Sequence, residues 1–252
     1  MDRIIQTLVG HGAPPAAAAA LAAAAGPSRM VRAGERLRDE GASTPGLALL
    51  VAGIAKACRS LDDGAAQTLA LFTQGDLLDS QGYVLGRSPV TLAAVTVSRV
   101  SEIPRARIEA LIAEYPALHR ALWRLTARDA AILQEWMVGM GRRTAYRQIA
   151  HLMCEMALRM RVAGRMNGNA YDFPLTQAEL ADTVGLSPVH VNRILQQLRA
   201  EGLIALSKGA LRIGDWSRLA ETADFDPSYL ELPGAAAPAP PARVAGQQGA
   251  PA

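Results

Sequence analysis

The 252-residue chain is half apolar, 19% charged and only 4% aromatic, a balance that excludes a disordered polyelectrolyte and a collagen-like repeat. Its length suits two modest domains rather than one. The formal charge of +3 is uneven: residues 104–143 carry seven basic and four acidic side chains and residues 144–215 eight and six, whereas 1–103 are balanced and 216–252 are acidic, which favours a polyanionic partner.

The N-terminal stretch Ala16 to Ala25 is too short to span a bilayer. Gly10, Gly12, Pro14 and Pro15 interrupt what would be the apolar core of a signal peptide, so neither export nor membrane association is expected. Cys58 and Cys154 form no C-x-x-C pair and are too few for a disulfide framework, which suits a reducing cytoplasm.

From Met30 to Ile103 short apolar runs alternate with glycines at 34, 41, 46, 53, 64, 75, 82 and 86. Leu47–Val51, Thr68–Phe72 and Val90–Val97 have strand length, and Asp62-Asp63-Gly64 marks a hairpin turn between Ile54–Leu61 and Ala66–Phe72. Residues 1–103 therefore read as a β-sandwich or barrel behind a leading helix. An enzyme of cupin-like fold would need clustered His and Glu ligands there, and 30–103 contain no histidine.

Residues 104–143 change character. Arg105–Glu114 reads as a short helix ended by Tyr115-Pro116, because a residue before proline is driven out of helical geometry. A long helix follows from Ala117 to Met140. Leu118, Leu122, Leu125, Asp129, Ile132, Trp136 and Gly139 follow 4-3 spacing, a coiled-coil seam with one polar break at Asp129, so this is a candidate dimerisation helix. The alternative is that the stripe packs on its own β-domain.

In residues 144–216, Ile149, Leu152, Met153, Met156 and Met160 share one helical face, ringed by Arg142, Arg143, Arg147, Arg159, Arg161 and Arg165, which read as a solvated surface. Thr176-Gln-Ala-Glu179 is a capping box. Gly185 supplies a left-handed helix end, and Ser187-Pro188 is an N-cap followed by the one helical position that tolerates proline. In the second helix Val191, Ile194, Leu195 and Leu198 must face inward, leaving Val189, His190, Asn192, Arg193 and Gln196 outward.

This arrangement is a helix-turn-helix, whose second helix presents its N-terminal face to base edges in the major groove. Arg193 suits the O6 and N7 of guanine, Asn192 or Gln196 suits adenine, and Val189 suits a thymine methyl. Thr176, Ser187 and His190 are candidate phosphate contacts. Leu203–Leu206 and Ala210–Ile213 read as a β-hairpin wing whose tip carries Lys208, a further phosphate contact. Residues 217–252 form a C-terminal extension, disordered after about 232 by its Pro/Ala/Gly/Gln composition.

Residues 176–206 resemble the DNA-binding domain of the Crp/Fnr family of bacterial transcription regulators. Gly34-Glu35, Gly41, Gly53 and Gly75-Asp76 extend the resemblance to the family's β-roll, over about residues 15 to 232. It implies an α+β chain with an N-terminal cyclic-nucleotide-binding-like β-roll (jelly roll), a long dimerisation helix and a C-terminal winged helix-turn-helix. The implied partners are double-stranded DNA with two-fold related half-sites, a second copy of the chain, an effector of unknown identity, and RNA polymerase if the protein activates.

The sequence also departs from the family. Cyclic-nucleotide binders carry a Gly-Glu and an Arg-Ser pair, whereas here Gly75-Asp76 is followed by Leu77-Leu78-Asp79-Ser80-Gln81, with Arg87-Ser88 present but its carboxylate counterpart missing or displaced. No cysteine cluster suits an iron–sulfur centre, and His11, His119, His151 and His190 are too scattered for a metal site. No cofactor or metal is expected. Pro188 and Val189 stand where studied members have Arg or Val and then Glu, while the later arginine is retained as Arg193. A competing reading is a ligand-binding β-roll protein whose C-terminal part mediates protein contacts.

Overall fold

A computed structural model describes residues 1–207 and 209–232. The expected disorder after about residue 232 and the wing-tip contact at Lys208 both fall outside the described residues. The chain opens with α1 (Asp2–Gly10) and α2 (Pro15–Ala23), then builds a roll from β1 (Arg29–Val31), β2 (Arg36–Arg38), β3 (Gly46–Ala52), β4 (Ala55–Ser60), β5 (Ala66–Phe72), β6 (Leu77–Leu78), α3 (Ser80–Leu85), β7 (Thr91–Ala94) and β8 (Ser98–Pro104). Two antiparallel sheets face each other, in the orders β1-β8-β3-β6 and β2-β7-β4-β5.

The continuous apolar run of β3 is explained by burial on both faces. Ala48 and Leu50 point between the sheets with Phe72, Leu78, Leu92 and Val100, while Leu47 and Leu49 meet a helical layer built on α1 and α2. Gly46 is required by a close approach, since a Cβ there would lie 2.0 Å from the Ile103 carbonyl oxygen. The predicted hairpin joins β4 to β5, with the Leu61 amide donating to the Ala65 carbonyl at 2.8 Å. The strand expected over Val90–Val97 is shorter, because the Thr96 hydroxyl accepts from the Ile54 amide at 2.9 Å and turns the chain early.

Beyond the roll come α4 (Arg105–Glu114), α5 (Pro116–Arg142) and α6 (Ala145–Val162). The α4–α5 break falls at Tyr115-Pro116, as the pre-proline restriction predicts. The C-terminal elements follow: β9 (Met166–Asn167), β10 (Ala170–Asp172), α7 (Gln177–Val184), α8 (Pro188–Ala200), β11 (Ile204–Ser207), β12 (Ala210–Ile213) and α9 (Trp216–Ala223), ending in a 3-10 turn over Pro227–Leu230. β11, β12, β10 and β9 form one antiparallel sheet in that order. No described helix is long and apolar enough to cross a membrane.

α6 is the centre of this second core. Every residue from Ile149 to Met160 is buried, so the arginine ring expected around the helix is only partly a solvated surface. Arg159 is buried and ion-paired, because α6 is covered on one side by α7 and α8 and on the other by the roll. Residues 217–232, assigned by sequence to an extension, close the same core: Leu219, Ala223 and Leu230 are fully buried within it. Ile54, Leu71 and Val95 of the roll pack into this core too, so the domains share apolar surface.

The sequence-derived seam of α5 is filled from within the subunit. Leu118 and Leu125 pack with α1, α2 and α4, and Ile132 and Trp136 pack into the winged-domain core. Asp129 is bonded to Arg128 at 2.8 Å, and Leu122 is half-buried. A second stripe lies one residue further along, again at 4-3 spacing: His119, Trp123, Met137 and Met140 are exposed, and Thr126, Ala130 and Leu133 between them are half-buried. Trp123 is 71% exposed and Met137 61%. Two adjacent stripes on one helix satisfy the same periodicity, so spacing alone does not tell which one faces its own subunit.

Candidate nucleic-acid interface

α7 starts where its sequence dictates. The Thr176 hydroxyl accepts from the Glu179 amide at 3.2 Å while the Glu179 carboxylate accepts from the Thr176 amide at 2.9 Å. The same carboxylate takes the hydroxyl proton of Thr176 at 2.9 Å, so this side chain is engaged in the cap, though exposed. Gly185 ends the helix at φ +69°, where a side chain would be strained. The Ser187 hydroxyl then caps α8, accepting from the His190 amide at 3.3 Å, with Pro188 in the first turn.

Val191, Ile194, Leu195 and Leu198 are buried, as their spacing requires, and they pin α8 against the α6 core. The opposite face stands free. Val189 is 81% exposed; Arg193 and Gln196 are exposed, and His190 and Asn192 are half-buried. Among the described residues Arg193 has no ion-pair or hydrogen-bond partner, so its guanidinium is available to a ligand. Each arginine that is buried in this molecule, by contrast, is held by carboxylates. Exposed Arg199 on α8 and Arg212 on β12 add positive charge that the sequence reading did not assign.

The sequence reading also missed a buried polar chain that links this reading head to the roll. Asp76, in the loop after β5, accepts from Arg128 of α5 at 3.2 Å and from Arg159 of α6 at 3.3 Å, and takes the Thr73 amide at 2.7 Å. Arg159 also donates to Glu155 at 3.1 Å and to the Leu71 carbonyl. Glu155, with no exposed surface, further receives the Trp136 indole at 2.9 Å and the Tyr229 hydroxyl at 2.8 Å. Burial opposes the charge on Asp76, but Arg128 and Arg159 outweigh it and hold the carboxyl below its usual range. Three segments of the fold thus converge on one carboxylate. The signal available in sequence was the i,i+4 pair Glu155 and Arg159 inside an otherwise apolar helix face.

Between the β2-β7-β4-β5 sheet of the roll, the start of α3 and α5 lies a cavity of about 90 Å³, lined by aliphatic side chains and by Phe72, Asp79, Ser80, Gln81, Thr126 and Asp129. Asp79 adopts φ +60° and is spoken for: it accepts from the Gly82 amide, pairs with Arg38 at 3.0 Å and takes a hydrogen bond from Thr44. Burial raises the Asp129 carboxyl, with Arg128 partly opposing. Among the described residues no arginine or lysine lines this cavity; Arg87 is exposed elsewhere, and the Ser88 hydroxyl is turned to the Val90 carbonyl. Cys58 and Cys154 are buried and unbridged, and burial pushes both thiols up, away from the thiolate form needed for redox chemistry. No group of three or more potential metal ligands occurs among the described residues.

Comparison with known proteins agrees with this geometry. Residues 137–222 match the Crp-like helix-turn-helix domain family and residues 28–115 the cyclic nucleotide-binding domain family. The chain is 30% identical over 202 residues to the transcriptional activator protein FnrL of Cereibacter sphaeroides, covering 79% of this chain and 81% of that protein. It is 29% identical over 178 residues to a probable transcriptional activator of Rhizobium leguminosarum, covering 71% and 73%. Its fold is similar to that of FixK2 from Bradyrhizobium japonicum, with a TM-score of 0.71 at 23% identity over 79% of this chain and 96% of that one. The cavity in the roll does not fit the ligand of the second family: among the described residues no arginine or lysine lines it to pair a cyclic phosphodiester, and its two carboxyls are already bonded to Arg38 and Arg128.

Proposed function

Since the chain belongs to the Crp/Fnr family of DNA-binding transcription regulators, we propose that it acts as a cytoplasmic homodimer that sets the N-terminal half of α8 from each subunit into a major groove of double-stranded DNA. The half-sites lie about one helical turn apart. Arg193 reads guanine, Asn192 or Gln196 reads adenine, and Val189 meets a thymine methyl. Ser187, His190, Thr176 and Lys208 meet phosphates, Thr176 by giving up one of the bonds that its amide and hydroxyl make to the Glu179 carboxylate. The subunits meet along α5, and RNA polymerase is a further partner if the protein activates.

The observation that carries this reading is the division of α8. Four apolar side chains anchor one face, and an unpartnered arginine stands on the other beside two amides and an exposed valine. A ligand-binding protein with an αα-hairpin used only for protein contacts gives no reason for that unpaired guanidinium. The roll acts without a cyclic nucleotide, in keeping with a cavity whose described lining offers no arginine or lysine to a phosphate.

The test is selection of bound duplexes from random DNA by the purified full chain, repeated with Arg193→Ala. The wild type should enrich a two-fold related motif containing a guanine in each half, and the variant should lose that guanine preference. Enrichment of the same motif by both proteins would remove Arg193 from base reading. No salt-sensitive DNA affinity would favour the protein-contact reading.

A further inference from the structure

Where the end of the roll meets the C-terminal end of α6 lies a cleft of about 360 Å³, at the small end of the range for ligand pockets, about 300–1,000 Å³. The roll supplies one wall from three loops: the β3–β4 turn at Gly53 and Ile54, the β7–β8 turn at Thr96 and Val97, and Thr73 with Gln74 after β5. Hydrogen bonds already fix this wall. The Ile54 carbonyl accepts from the Val95 and Thr96 amides at 2.8 and 3.2 Å, and the Thr73 hydroxyl donates to Asp76 at 3.1 Å. Gly53 holds φ +94°, where a Cβ would lie 2.2 Å from the Ser98 hydroxyl oxygen. The opposite wall is apolar: Met160 of α6, its C-cap Ala163, and Pro174 beyond β10.

Two charges of opposite sign line the same cleft. Arg165 and Asp172 stand 3.9 Å apart, N to O, too far for a hydrogen bond, and neither makes one to any other described residue. The half-buried Gln74 amide makes none either among the described residues. A plain anion in the cleft meets Asp172 and a plain cation meets Arg165. The complement of this lining is therefore a molecule that carries both charges side by side, next to an apolar group. We propose that the cleft binds a free α-amino acid with an apolar side chain, its carboxylate on Arg165, its ammonium on Asp172, and its side chain between Ile54, Val97 and Met160. The C-terminal end of α6 adds to the preference for the ammonium, because that end of a helix favours positive charge. Arg165 and Asp172 are 58% and 88% exposed, so apolar contact supplies most of the affinity and the charges supply the selectivity. The site is separate from the cavity lined by Asp79 and Asp129, with which it shares no residue. Its walls belong to the two bodies that Asp76 and Arg159 join, and Thr73 serves both the wall and that carboxylate. An occupant touches both bodies only while they are docked, so binding holds the winged domain against the roll.

The test is isothermal titration calorimetry of the full chain without DNA, using L-phenylalanine and L-leucine as probes. Two analogues serve as controls, 2-phenylethylamine without the carboxylate and 3-phenylpropanoate without the ammonium. An amino acid should bind at one site per chain, and each analogue should bind about fivefold more weakly than phenylalanine or worse. Arg165→Gln and Asp172→Asn should each weaken the amino acid about fivefold, with the melting temperature of the unliganded chain unchanged because both side chains are exposed. Absence of binding by either amino acid at about 10 mM overturns the inference. So does an analogue that binds as well as phenylalanine, which would mean that the cleft does not read both charges, and so does unchanged affinity in both variants, which would put the ligand elsewhere. No DNA is present, so failure here leaves the reading of α8 standing, and failure of that reading leaves this result standing.

Discussion

Replacing Arg159 by Met removes the cation that joins the roll to the reading head while keeping the unbranched stem inside the α6 core. In the structure it leaves Asp76 with Arg128 and Thr73, and Glu155 with only the Trp136 and Tyr229 donors, both carboxylates remaining buried. Breaking a buried pair from one side costs about 3–5 kcal/mol, because the remaining charge stays desolvated. Arg159 serves two carboxylates and the Leu71 carbonyl, so the upper half of that range is expected. At about 2–4 °C per kcal/mol for a chain of this size, the melting temperature should fall by about 8–20 °C. The assay is scanning calorimetry with urea unfolding, on wild type, Arg159→Met, Asp76→Asn and the double variant. Wild type should unfold in one transition and Arg159→Met in two, the winged domain separating from the roll. The cycle should show a coupling of about 1–3 kcal/mol. A loss below about 1 kcal/mol, or strict additivity, would show that the pair is not the link described.

Arg193→Ala should cost about 1–3 kcal/mol per subunit on the selected duplex and little on random DNA, measured by anisotropy titration. Lys208→Ala should weaken all sequences alike and reduce the salt slope of binding by about 1. Thr176→Ala removes the capping oxygen of α7 and should destabilise the fold by about 1 kcal/mol in urea. His151 is pushed down to about 3 by burial, with Arg143 adding to the effect, and it packs on Phe225 and Tyr229 with Glu135 at 3.4 Å. Its native value lies below the unfolded value of about 6.5, so the unfolded chain binds the extra proton. The stability this residue contributes is present above about pH 6.5 and is lost as pH falls towards 3, reaching about 2 kcal/mol by pH 5. The His151→Leu variant should lack that part of the pH slope. Cyclic AMP or cyclic GMP should raise neither the melting temperature nor DNA affinity, and a rise in either would refute the argument from the cavity lining.

What could be read from sequence was governed by local stereochemistry. The capping box at Thr176, the left-handed Gly185 and the Ser187-Pro188 start fixed both reading helices, and the inward set of α8 followed from its spacing. Tyr115-Pro116 separated α4 from α5, and Asp63-Gly64 turned β4 into β5. What could not be read depends on contacts far apart in the chain. Arg159 meets Asp76 across 83 residues, so a helix ringed by arginines gave no sign that one of them was internal. On α5 two stripes one residue apart share the same period, and only the packing of α1, α2 and the winged domain decides which is covered. The closing segment Trp216–Leu230 lacks a long periodic pattern, and its burial comes from Leu219, Ala223 and Leu230 meeting α6.

The central claim is that α8 of two subunits lies in the grooves of one duplex, and cleavage from the reading face measures it directly. Val189→Cys gives an exposed thiol while Cys58 and Cys154 are buried, so a DNA-cleaving iron chelate can be attached selectively at residue 189. On a selected duplex the account predicts two cleavage clusters, related by two-fold symmetry and centred about one helical turn apart. Cleavage at a single place, or scattered along the duplex, would contradict it.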